Sequence, residues 1–187
     1  MKKHTDQSKY ILIMISLCFL LGGVIGCFFG SHPTESMTNY INHFFQAAKE
    51  GSVVAPGLLE ASWTILRWPL LVIALHFSFV GLVGIPVLFV VRGFLLAFNI
   101  AAFASVLGDA GIPFLLLGAE SLLSIPVLFL LGSYGISVLI RPKQIAVSRK
   151  KSDKIVYMRG IVICGGLLLF CIMWEQFVTP ILLRGAF

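Results

Sequence analysis

Four polar side chains interrupt otherwise apolar stretches of this chain: His76, Arg92, Asn99 and Glu120. Together they offer an imidazole, a fixed cation, an amide and a carboxylate, which are the parts of a proton or ion relay. A charged group at the centre of a bilayer costs about 2.5–3.5 kcal/mol on insertion scales, so each needs a partner, water or a place near the interface. At about 1.5 Å rise per residue, His76 and Glu120 fall roughly 10–12 Å below the outer boundary of the spans placed below. Asn99 reaches nearly the same level. The three are expected to share one polar layer in the outer half of the membrane. Arg92 falls lower, about 9 Å from the cytoplasmic side, within snorkelling reach of headgroups. The layer reads first as interhelical hydrogen bonding and second as a relay, because a relay uses more ionisable groups per span.

A serine and a histidine on different helices can also make an intramembrane hydrolase, provided they come within bonding reach. The run Gly132, Ser133, Tyr134, Gly135 with His76 is the one candidate. It lacks the usual glycine spacing around the serine, and the expected depths put Ser133 two turns or more from His76. There is no glycine-rich phosphate loop and no carboxylate pair. Cys18, Cys27, Cys164 and Cys171 all lie in apolar runs without a C-x-x-C spacing and read as packing residues. No enzyme activity, metal or cofactor is expected.

The elements that would hold these residues follow from composition. Of 187 residues, 58% are hydrophobic and 12% charged, with a mean hydropathy of +0.99. Soluble domains carry about 25% charged residues. Lipid is therefore the solvent, and the length allows one integral membrane domain without a second globular one. The net charge of +6 does not point to nucleic acid, because the positive residues flank the apolar runs.

The fold class expected is an all-α membrane protein, a polytopic bundle of about five transmembrane helices with short amphipathic extracytoplasmic helices. The spans are placed at about 10–30, 69–83, 86–107, 112–140 and 155–179. An outer loop runs over 31–68 and a cytoplasmic basic loop over 141–154. The long apolar stretch after residue 68 is divided at 81–86, where Gly84 and Pro86 supply the turn. Pro126 is a bend point in the fourth span. The first segment reads as a retained span rather than a signal peptide.

Lys2, Lys3 and Lys9 then share a side with Arg141, Lys143, Arg149, Lys150, Lys151 and Lys154, whereas Lys49, Arg67 and Arg184 lie opposite. The positive-inside rule makes the amino terminus cytoplasmic and the carboxyl terminus extracytoplasmic. Trp63, Trp68 and Trp174 fall at the outer boundary, where aromatic belts form.

In the outer loop, Met37, Ile41, Phe44 or Phe45, and Ala48 make an apolar helical face that Gly51 ends. A second short helix over 56–67 brings Leu58, Leu59, Ser62, Trp63 and Leu66 near one side. These faces can lie on lipid, dock an outside partner or cap the protein's own bundle.

Two stripes of small residues recur at a spacing of four: Cys18, Gly22, Gly26 and Gly30 in the first span, and Gly93, Ala97, Ala101 and Ser105 in the third. Such stripes let helix backbones approach closely in lipid. They serve packing within the chain first, and a homo-oligomer or partner interface second. The run at 81–89 resembles that at 121–129, a hint of the repeats found in transporters.

The stretch from Gly84, Ile85 and Pro86 through Arg92, Gly93, Phe94, Leu95, Leu96, Ala97 and Phe98 resembles the stage II sporulation protein M family. So do the small-residue helix that follows, the turn at 108–111 and the proline-containing span after it. The likeness covers roughly 69–140 and the five-span layout. It implies a non-enzymatic scaffold in the bacterial cytoplasmic membrane. The scaffold would act during engulfment in endospore formation, with the lipid bilayer and extracytoplasmic cell-wall hydrolases as partners. By resemblance the hydrolases are stage II sporulation proteins D and P. The alternative is a transporter or permease subunit built around the polar layer.

Overall fold

The computed structural model describes residues 2–50, 58–76, 78–108, 119–140, 165–173 and 177. Among them the backbone is helical apart from short turns, and no strand occurs. Five helices carry the architecture: α1 (Lys2–Gly30), α2 (Glu35–Lys49), α3 (Leu58–His76), α4 (Gly81–Leu107) and α5 (Ala119–Ile140). Residues 165–173 are also helical. Apart from Phe177, the rest of the fifth expected span lies outside the described residues, as do the basic loop at 141–154, Cys164 and Trp174.

Among the described residues, two stretches are long and apolar enough to cross a membrane, Lys9–Gly30 with 22 residues and Gly81–Leu107 with 27. Only 17% and 28% of their most apolar windows are buried within the protein. A helix at the centre of a soluble domain hides such a surface, because water penalises exposed apolar area. A shorter apolar stretch runs from Ser124 to Ser137 in α5.

These two long helices pack along each other in the same direction. A Cβ on Gly22 would fall on the Val90 carbonyl, and one on Gly26 on the Phe94 carbonyl. One on Gly30 would lie 2.5 Å from the Phe98 carbonyl oxygen and 2.9 Å from the Ala101 Cβ. Residue numbers rise together on both helices, so α1 and α4 are parallel. The contact is reciprocal, since a Cβ on Gly93 would meet the Phe19 carbonyl. Backbone lies on backbone over successive turns, which is where small residues give van der Waals contact that lipid does not replace.

α3 returns against α4 as the first arm of a tight hairpin. Leu75 packs on Gly81 and Gly84, whereas Trp68 lies against Arg92 further along, so the pair is antiparallel. The Gly81 N–H donates to the Ser78 carbonyl at 2.9 Å and the Val80 N–H to the Ser78 Oγ at 3.3 Å. A side chain on Gly81 would strike the Leu75 carbonyl. The turn expected at Gly84 and Pro86 therefore lies earlier, at 78–80, and both residues belong to α4. Pro86 stands in the second turn of α4, and the helix continues through it. The helix also continues through Pro126, so α5 is unbroken there.

The outer segment differs from expectation in a second way. There is no separate helix ending at residue 67, because α3 runs on from Leu58 to His76. Its buried side is Ile65, Pro69 and Val72, while Leu59 and Trp63 are exposed. α2 does carry the amphipathic pattern, but its face is already covered. Ile41 and Phe45 are buried against Ala102, with Met37, Phe44, Phe103, Val106 and Leu107 around them. Phe45 and Phe103 meet edge to face at 5.7 Å. α2 thus caps the carboxyl end of α4, which closes at Gly108 in a left-handed conformation (φ 71°) whose N–H returns to the Ala104 carbonyl.

The main core joins four helices: Ile15 from α1, Val72 from α3, Ile85, Leu88 and Phe89 from α4, and Leu128 and Ile136 from α5. Phe89 is its largest fully buried side chain. Its ring lies edge to face on Phe129 at 4.9 Å. Gly132 makes room for it, since a Cβ there would come within 2.6 Å of the ring.

Candidate functional site

His76 closes α3 and reaches across to α5. Its Nδ1 lies 2.6 Å from the Val72 carbonyl oxygen one turn back, and its Nε2 lies 3.0 Å from the Leu131 carbonyl oxygen. A neutral imidazole has one N–H and donates to one of these carbonyls, whereas an imidazolium donates to both. The ring of Tyr134 stands 6.4 Å away. Gly135 presents bare backbone to the imidazole, and a side chain there would collide with it. His76 is therefore a tie between two helices, with a carbonyl oxygen facing each ring nitrogen.

The polar layer expected from the sequence does not form around it. Leu75 packs on Gly84, and Asn99 stands about 22 Å further along α4 at about 1.5 Å per residue. The cause is the position of the turn. Because α3 starts at Leu58 and the chain reverses at 78–80, His76 ends its helix instead of lying midway down a span. Asn99 is half-buried on α4. Glu120 belongs to the first turn of α5, and its side chain lies outside the described residues.

Ser133 is level with His76, not two turns away, since the His76 neighbours on α5 are Leu131, Tyr134 and Gly135. It is turned away instead. At about 100° per residue it points roughly 160° around the helix from both Leu131 and Gly135. Its Oγ donates to the Leu130 carbonyl at 3.1 Å, in its own helix. The serine–histidine pair fails by angle.

Arg92 lies almost halfway along α4 and is half-buried. Its guanidinium sits over the indole of Trp68, 5.2 Å from the ring centroid. The exposed Arg67 places its own guanidinium 5.7 Å from the same ring. A cation over tryptophan gains about 0.5–2 kcal/mol, the upper end when water is excluded. Trp68 is the residue that sequence reading missed, having been assigned to the membrane boundary. The signal lies in the hairpin: once the turn is put at 78–80, residues 68 and 92 become near mirror positions. The Trp68 Nε1 is buried and, among the described residues, has no hydrogen-bond partner.

The small-residue stripes occupy the α1–α4 seam. Gly22, Gly26 and Gly30 face α4. Gly93 and Ala101 face α1, and Ala97 lies near Gly23. Ser105 is past the contact and donates to the Ala102 carbonyl at 2.9 Å. Among the described residues, no group of three histidine, cysteine or acidic side chains could hold a metal ion. Cys18 is half-buried, Cys27 exposed and Cys171 buried.

No curated protein and no solved structure matches the chain. A family model described as Stage II sporulation protein M matches residues 15–180, from the first apolar helix to beyond the described helical stretch at 165–173. That range contains the α1–α4 seam, the α3–α4 hairpin, the His76 tie and the Arg92–Trp68 contact. With two mostly unburied apolar helices, one within the match and one overlapping its start, this is a membrane protein, and the chain belongs to the stage II sporulation protein M family.

Proposed function

We propose that the chain is a non-enzymatic, multi-pass membrane scaffold that anchors peptidoglycan-remodelling proteins during engulfment in endospore formation. The observation that carries this reading is the α1–α4 seam. Two long apolar helices lie parallel in backbone contact, and their outer faces stay exposed. Such a body is rigid and presents surfaces. The groups capable of chemistry, His76 and Ser133, are committed to carbonyls within the bundle.

The seam also supports the topology. If parallel α1 and α4 both cross the membrane, the chain between them must cross back, and α3 has the length and direction for it. The amino terminus then faces the cytoplasm by the positive-inside rule, and further spans at 112–140 and 155–179 bring the crossings to five. The partners are extracytoplasmic hydrolases of the stage II sporulation D and P type. The apolar face of α2 is occupied by α4, so docking falls to other surfaces.

Purification from native membranes tests the proposal. Recovery of cell-wall hydrolases with the full chain supports it, and a deletion strain that completes engulfment normally overturns it. A transporter subunit is the second reading, favoured by the half-buried Arg92 in the middle of α4. Recovery of an ATPase, or substrate uptake into liposomes, would establish it instead.

A further inference from the structure

The outward side of α3 bears Glu60, Trp63, Arg67, Leu70, Leu71 and Ala74, all exposed and all within about 60° of Arg67 around the helix. Arg67 stands halfway along the helix. It shares the ring of Trp68 with Arg92. Arg92 is in turn level with the stretch of α4 that meets Gly22 and Gly26, inside the Lys9–Gly30 apolar run. In the topology above, an exposed guanidinium therefore faces outward near the middle of the bilayer. Charged residues there turn to a protein interior or a partner, because lipid tails supply no counter-charge. Among the described residues the Arg67 guanidinium meets the indole and no carboxylate. Glu60, on the same face, is about 10 Å nearer the start of the helix.

We propose that this face of α3 docks a transmembrane helix of a partner protein that carries a carboxylate near its midpoint, paired with Arg67 and flanked by Trp63, Leu70 and Leu71. Charge selects the occupant. A second copy of the chain is disfavoured, because copies inserted in the same sense are related by an axis along the membrane normal. Two Arg67 side chains would then meet at one depth. The inference rests on the scaffold reading and gives its partner a chemistry: recognition lies inside the membrane, between an arginine and an acidic helix.

The test uses the full chain, fluorescently labelled, in phosphatidylethanolamine–phosphatidylglycerol vesicles at alkaline pH. The probes are three labelled leucine-rich transmembrane peptides with a central Glu, Gln or Leu. Energy transfer should show the Glu peptide bound about tenfold better than the Leu peptide. Arg67→Leu should abolish that preference, Arg67→Lys should keep most of it, and Arg67→Glu should shift it to a peptide with a central Lys. Equal binding of the Glu and Leu peptides, or a preference that survives Arg67→Leu, overturns the proposal. Hydrolase recovery that is unchanged in Arg67→Leu leaves the scaffold standing and removes this interface. Failed recovery with the wild-type chain removes the scaffold and leaves the peptide preference to be decided separately.

Discussion

The α-carbon of Gly26 rests on the backbone carbonyl of Phe94, with no room between them for a methyl group. Gly23, one residue from Gly22 on the same helix, is different: a Cβ there would sit 3.9 Å from the Gly93 carbonyl oxygen and 4.0 Å from the Ala97 Cβ, ordinary contact distances. The two glycines therefore make a matched pair for the seam. Gly26→Ala forces the helices apart and should cost about 1–3 kcal/mol, as overpacking does. Gly23→Ala should be neutral or slightly stabilising, because it removes chain freedom without a clash. Unfolding by SDS in mixed micelles, followed by tryptophan fluorescence, distinguishes them; equal losses would mean that the seam is not in backbone contact.

The His76 tie predicts a pair of equivalent lesions. His76→Ala removes the bond to Leu131 and should destabilise by about 0.6–2 kcal/mol, the range for interhelical hydrogen bonds in lipid. Gly135→Ala pushes on the imidazole from the other side and should do similar damage. Ser133→Ala should leave both stability and biological activity unchanged, because its hydroxyl serves only its own helix. A loss of activity with normal folding in Ser133→Ala would reopen a catalytic reading.

Ile41 holds α2 to the end of α4 with no surface left exposed. Ile41→Asp places a charge in that contact and should release the helix. In a background without native thiols, Phe103→Cys should become several-fold more reactive to a maleimide once Ile41→Asp is added, since free water then reaches the site. Unchanged reactivity would place α2 elsewhere on the bundle.

The proposed topology can be tested at the hairpin turn. Thiols introduced by Ser31→Cys and Ser78→Cys lie at opposite ends of the helices between them. In intact cells an impermeant reagent should label the first and miss the second, and both should label after the membrane is opened. Labelling of Ser78→Cys from outside would mean that α3 does not cross.

How far the sequence discloses this arrangement depends on which physical signal each feature leaves. The spacing of Gly22, Gly26 and Gly30 is visible because helical periodicity puts residues four apart on one face. Its partner is not visible, since nothing in α1 says which of several apolar helices supplies the facing carbonyls. The turn is harder. Gly84 and Pro86 are strong breakers in water, but in an apolar helix their effect is absorbed near the first turn. The actual reversal at 78–80 is marked only by Ser78 and the bare backbone of Gly81. That displacement of a few residues moved His76 from mid-span to a helix end and separated it from Asn99. It also hid Trp68, whose role depends on facing Arg92 across the hairpin. The amphipathic pattern of α2 was plain in Met37, Ile41 and Phe45. What covers it was not, because lipid, a partner and the chain's own α4 all satisfy an apolar face equally well.

The parallel course of α1 and α4 has a consequence for biogenesis. Helices that follow one another through a translocation channel alternate in sense, so neighbours in time can zip together as they emerge. If α3 crosses between them as proposed, α1 and α4 cannot, since that arm has to be threaded in the opposite sense first. Until then the glycine-lined flank of α1 waits in the bilayer with its carbonyl ridge unmet. That backbone contact thus waits for the third crossing, and the newborn chain depends on whatever shelters its first helix meanwhile.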